Sequence, residues 1–93
     1  MSLMGFEKSF KALSDPVRRE ILQLLRNGAM TAGHIAEHFD MTKATISYHL
    51  RLLKEAGLIC EAKEKNFIYY DLNTTLVEEM MGWLMSLKER KND

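Results

Sequence analysis

The sequence predicts a mainly α-helical fold with one small β-hairpin, in the order α-α-α-α-β-β-α. Three observations carry that prediction. Apolar residues recur at steps of three and four along five segments, the mark of helices with one buried face. Capping and breaking residues stand at the joints between them: Ser14-Asp15-Pro16, Asn27-Gly28, Thr31, Thr42 and Gly57. Finally, Leu58-Ile59-Cys60 and Phe67-Ile68-Tyr69-Tyr70 flank the polar stretch Glu61 to Asn66, as two strands flank a turn.

Taken in order, Phe6, Phe10 and Leu13 define a short amphipathic first helix ending near Ser14. Asp15 is placed to accept backbone hydrogen bonds as an N-cap and Pro16 fits the first helical turn, so a second helix starts there and runs to about Asn27-Gly28. Its buried stripe is Val17, Ile21, Leu22, Leu24 and Leu25. Thr31 caps a third helix with Ile35, Ala36 and Phe39 inward, and the turn through Asp40-Met41 leads to Thr42, a second cap. The fourth helix spans about Lys43 to Ala56, buries Ile46, Leu50 and Leu53, and stops at Gly57 in a left-handed conformation. In the hairpin, Asn66 is the residue expected to supply the turn geometry. Thr74 opens a last helix to about Arg90, and its apolar residues, from Leu76 to Leu87, cover more than one internal stripe can bury. That surplus predicts a partner.

Ninety-three residues, 46% of them apolar, make one domain over residues 1–93 with one modest core. Lysine plus arginine and aspartate plus glutamate both number 13, so bulk charge gives no nucleic-acid footprint. Its distribution says more. Between residues 42 and 66, Lys43, Arg51, Lys54, Lys63 and Lys65 outnumber Glu55, Glu61 and Glu64, whereas residues 67 to 87 carry only Asp71, Glu78 and Glu79. The single cysteine, Cys60, excludes an intrachain disulfide and is expected to pack in the core. No apolar run approaches the length of a membrane span, and Met1-Ser2-Leu3 lacks the regions of a signal peptide, so a cytoplasmic chain without membrane insertion is expected.

Function is concentrated between Met30 and Gly57, where two helices meet at a tight turn and the second gathers its polar residues outward. The major groove of DNA admits one such helix, and side chains from its first turns reach base edges. Lys43, Ala44, Thr45, Ser47 and Tyr48 are the candidates for reading; Tyr48 also suits a half-buried core edge. Thr42 is explained by capping alone, with DNA contact as a further role. His49, between outward Tyr48 and inward Leu50, is expected to pack at the helix edge or meet a phosphate, and Arg51 to meet a phosphate or a nearby acid. At the hairpin tip Lys63, Lys65 and Asn66 are candidates for minor-groove or backbone contact. The alternative is a protein-interaction module of the same fold that never touches DNA. Against it stands the polar, acid-free opening of residues 42 to 51, which an interface helix would make more apolar.

The order of elements, with Ala12-Leu13-Ser14-Asp15-Pro16-Val17-Arg18-Arg19, Ile46-Ser47-Tyr48-His49-Leu50 and Tyr70-Asp71-Leu72, resembles the ArsR/SmtB-type winged helix-turn-helix repressors over nearly the whole chain. The match is to the SdpR-like branch, which lacks a metal box. The resemblance implies a homodimeric, sequence-specific repressor, autoregulatory in that branch, with its first and last helices as the interface. Phe6, Phe10, Leu76, Met80, Trp83, Leu84 and Leu87 would form that interface. It also implies a double-stranded operator with inverted-repeat symmetry, and release of repression by a protein partner that the residues do not identify. Lys43 and Ala44 stand where the family often has Gln-Ser, and Ser47-Tyr48 where Ser-His is common. Lysine can donate to guanine but lacks the bidentate amide that selects adenine, so the operator should differ from those of glutamine-bearing relatives. The wing tip Glu64-Lys65-Asn66 also lacks the family's glycine and arginines.

No cofactor or metal is expected. The stretch His34-Ile35-Ala36-Glu37-His38 occupies the place of the family's cysteine metal box without a cysteine, and the last helix offers only Glu78 and Glu79. His34 and His38 have ligand spacing, but two histidines without a third ligand bind Zn²⁺ weakly and read better as a solvated face. An enzyme is not expected either, because no nucleophile is paired with a base and no phosphate loop or HExxH motif occurs.

Overall fold

The computed structural model describes residues 5–89, and nine elements follow in chain order. They are α1 (Glu7–Ala12), α2 (Pro16–Leu24) with a 3₁₀ turn over Leu25–Asn27, β1 (Met30–Thr31), α3 (Ala32–Ala36), α4 (Lys43–Glu55), β2 (Ile59–Glu64), β3 (Phe67–Leu72) and α5 (Thr74–Ser86). The local signals act as expected. The Asp15 carboxylate accepts from the backbone N–H groups of Val17 and Arg18, with Pro16 in the first turn. Thr31 accepts from His34 and Thr42 from Thr45, each satisfying a donor that the helix start leaves unpaired. Gly57 ends α4 at φ 78°, a left-handed value that side chains resist, and an added Cβ would sit 3.2 Å from Leu76.

Ile21, Leu25, Ile35, Ile46, Leu50, Leu53 and Leu58 are the large side chains sealed from water, so α2, α3, α4 and the root of the hairpin share one core. The buried Ser9 hydroxyl donates to the Ala56 carbonyl at 2.8 Å, fastening α1 to the end of α4.

Several expectations are corrected. The hairpin has a third strand: Met30 pairs with Tyr70 and Thr31 with Tyr69, giving an antiparallel sheet in the order β1-β3-β2. The second strand starts at Phe67 as expected, but the strands run further, the first through Glu64 and the second on to Leu72, leaving Lys65 and Asn66 as a two-residue turn in which Lys65, not Asn66, takes the left-handed backbone at φ 57°. Cys60 is exposed rather than packed in the core, because strand alternation sends Ile59 inward and its neighbour out. The last helix is capped by Asn73, whose Oδ1 accepts from the Leu76 N–H and whose Nδ2 donates to the Gly57 carbonyl at 2.8 Å. It ends at Ser86; Arg90, where the sequence placed its end, and Met1-Ser2-Leu3 lie outside the described residues.

Candidate nucleic-acid interface

The turn between α3 and α4 sets the angle at which α4 leaves the core, and its two sides are chemically opposite. Ile46, Leu50 and Leu53 are buried, while Thr42, Lys43, Ala44, Thr45, Ser47, Tyr48 and Arg51 are exposed. No acidic residue lies between Thr42 and Arg51. The positive end of the helix dipole adds to that face at its N-terminus, where a phosphate is welcome. Thr42 caps the helix, and its hydroxyl also shares a 2.9 Å hydrogen bond with that of Thr45. Tyr48 is 48% exposed, with the Arg51 guanidinium 5.3 Å from its ring centroid. Arg51 also reaches Glu55 one turn on, at 3.5 Å, so it meets the nearby acid that was one of its two expected partners.

His49 departs from the surface set. It is 8% exposed, and the guanidinium of Arg18 donates to its Nδ1 across 3.3 Å, which turns the ring inward between α2 and α4. The signal was available, since His49 lies three residues after Ile46 and four before Leu53, squarely on the buried stripe. Arg18 is itself buried, and its Nε donates to the Ala12 carbonyl at 2.8 Å. The nearby Asp15 carboxyl is pushed up by partial burial. The N–H donors of Arg18 and Val17 and the positive charge around it outweigh that and hold it below the ordinary 3.8.

On the wing, Lys63, Lys65 and Asn66 are all exposed, and so are Phe67 and Ile68 beside them. The wing's root is tied to α4 by the ion pair of Lys54 with Glu61, whose hydrogen bond raises the lysine's pKa. Burial first, and the charge of Glu61 second, raise the Tyr70 phenol on the same face of the sheet.

A second exposed surface lies on α5. Met81, Trp83, Leu84, Met85 and Leu87 are all exposed, and Phe10 of α1 packs on Trp83 with ring centroids 5.8 Å apart. Phe6 and Phe10 are half-buried, in edge-on contact at 6.1 Å. Two residues assigned to an interface from sequence turn inward instead. Met80 is 5% exposed in the chain's own core, and Leu76 packs against that core beside Gly57, because the helix must spend one stripe closing its own domain. Met81 and Met85 take their place on the outer face.

His38 Nδ1 is 3.1 Å from the His34 carbonyl, and among the described residues no group of three or more His, Cys, Asp or Glu side chains is placed to hold an ion. No helix of the described residues is long and apolar enough to cross a membrane.

A helix-turn-helix set on a helical core and followed by a β-hairpin wing is the architecture of the winged-helix DNA-binding domains. Comparison with known proteins narrows this. A helix-turn-helix domain family matches residues 13–60. The chain is 52% identical to the transcriptional repressor SdpR of Bacillus subtilis over 77 residues, which is 83% of this chain and 86% of that one. Among solved structures it resembles an ArsR-like transcriptional regulator from Rhodococcus sp. RHA1, with TM-score 0.83 and 26% identity over 90% of this chain and 79% of that one. It also resembles a homodimeric winged helix-turn-helix DNA-binding domain from Mycobacterium bovis, with TM-score 0.76 and 25% identity over 98% and 90% of the two chains. The chain belongs to the ArsR family of winged helix-turn-helix transcriptional regulators.

Proposed function

We propose that the protein is a cytoplasmic, homodimeric repressor that lays α4 in the major groove of a palindromic operator, autoregulatory in the manner of the SdpR-like branch. The observation that carries this is the face of α4: outward, polar and acid-free from Thr42 to Arg51, on a helix whose other side is sealed in the core. Lys43, Ala44, Thr45, Ser47 and Tyr48 read bases; Thr42 and Arg51 meet the backbone; Lys63, Lys65 and Asn66 of the wing add contacts beyond. His49 acts from inside, by fixing the helix against Arg18. The apolar face of α5, with Phe6 and Phe10 of α1 beside it, supports a two-fold partner, as does the homodimeric relative from M. bovis. Two-fold symmetry places the half-sites about 34 to 36 Å apart or at a multiple of that spacing. A protein that masks either face would relieve repression. The reading is of a binding protein, without a catalytic role or a cofactor.

A gel shift on the promoter of the protein's own gene, with random duplex as competitor, tests it. Ser47→Ala and Tyr48→Ala should each weaken operator binding with the melting temperature unchanged, and equal losses on random DNA would remove both from base reading. Lys65→Ala leaves the backbone as strained as before, so it isolates the charge: affinity should fall on all sequences and the salt dependence should flatten.

A further inference from the structure

A groove of about 310 Å³ lies between α1 and α4, walled by Lys8, Lys11, Arg18, Tyr48, Leu52 and Glu55. Three of these six are cationic and one is acidic, and Glu55 is already engaged by Arg51. Lys8 and Lys11 are exposed and three residues apart, so they project from one side of α1. Neither makes an ion pair among the described residues. The groove is continuous with the reading face, since Tyr48 belongs to both. In the sequence these lysines stand more than thirty residues from α4. Only the packing of α1 on the end of α4, held by the Ser9 bond to Ala56, brings them beside it.

We propose that Lys8 and Lys11 are a phosphate clamp: with α4 in the major groove, their ammonium groups engage the DNA backbone along the flank of the groove. The occupant is the DNA phosphate backbone, for two reasons. The charge is complementary and presented on flexible stems, which suits point contacts with phosphates. The surface also runs without a break into one that faces DNA. The clamp extends the footprint to a second side of α4 and positions the helix without reading sequence. It rests on the docking of α4 proposed above.

The test is the slope of log K against log salt, for operator and for random duplex, with the full chain. Each phosphate contact contributes about 0.9 to the slope, so Lys8→Gln/Lys11→Gln removes up to four contacts per dimer and should flatten it by about 2 to 4 on both DNAs. The ratio of operator to random affinity should hold, and Lys8→Arg/Lys11→Arg should restore the wild-type slope. Glutamine keeps the first two methylenes of the stem, and the carbonyl of Lys11, which accepts from Ser14, is unaffected; an unchanged melting temperature checks the fold. A slope flattened by less than about 1 overturns the clamp. An unchanged slope together with displacement of DNA by inorganic phosphate at constant ionic strength also overturns it, and assigns the groove to a small anion. Because random duplex reports backbone contacts without base reading, wild-type protein that fails to prefer its operator would sink base reading and leave the clamp standing.

Discussion

Removing the guanidinium of Arg18 should loosen α4 from behind. Arg18 is buried, its Nε donates to the Ala12 carbonyl at 2.8 Å, and its Nη1 donates to His49 Nδ1 at 3.3 Å; Nη2 lies 3.5 Å from the Lys11 carbonyl, too far to count for much. A hydrogen bond from a charged donor contributes about 1.5–3 kcal/mol, and the 3.3 Å contact belongs at or below the low end of that range. Arg18→Ala should therefore cost about 2–4 kcal/mol, of which about 1 kcal/mol is coupling to His49. At about 4–8 °C per kcal/mol for a domain of this size, the melting point should fall by about 8 °C or more. Urea denaturation of Arg18→Ala, His49→Ala and the double variant, at one fixed protein concentration, gives both numbers. A coupling below about 0.3 kcal/mol would refute a direct link between α2 and α4. Arg18→Ala within about 0.5 kcal/mol of wild type would refute the buried network altogether.

Three further outcomes follow from the structure. Asp15→Ala should cost about 1 kcal/mol at neutral pH through loss of the cap. Because the folded pKa is depressed, that contribution is complete above the unfolded value of 3.8 and fades as pH falls through the folded one, so the two proteins' denaturation midpoints should converge in acid. On α5, Met80→Ala should destabilise at every protein concentration by about 2–5 kcal/mol. Leu84→Glu should instead turn a dimer into a monomer by sedimentation, and a monomeric wild type would remove α5 as a two-fold surface.

The parts legible in the sequence are those decided locally. Asp15, Thr31 and Thr42 cap because the accepting oxygen and the N–H it satisfies lie two or three residues apart, and Gly57 stops α4 by its own backbone freedom. What escaped was decided at a distance. Met30 and Thr31 are too short a run to signal a strand, and form one only because Tyr69 and Tyr70 come alongside. Asn73 and Thr74 are both capping types, and the bond from Asn73 to the Gly57 carbonyl selects the first. Met80 and Met81 are indistinguishable by composition; the angle at which α5 leaves Asn73 turns one inward and the other out. The lysines of α1 carry no local mark at all.

Helix α1 contributes six residues and serves two surfaces at once. Phe10 rests on Trp83 beneath the outer face of α5, while Ser9 binds the end of α4 and the Ala12 carbonyl receives Arg18, which in turn holds His49. A partner subunit that presses on α5 therefore bears on the same short helix that fixes the back of α4. Few of the contacts involved are interchangeable. Ser9 is 2% exposed, and its bond to Ala56 has no water to replace it, so a shift of α1 large enough to break that bond leaves a buried carbonyl unpaired at a cost of about 1–3 kcal/mol. That cost is what lets so small a helix transmit position: it resists sliding independently of α4, so in the dimer proposed above the separation of the two α4 helices is set by how α1 and α5 meet their counterparts. Under the docking and dimer proposed above, operator spacing is a property of the apolar face, and operator sequence a property of the polar one.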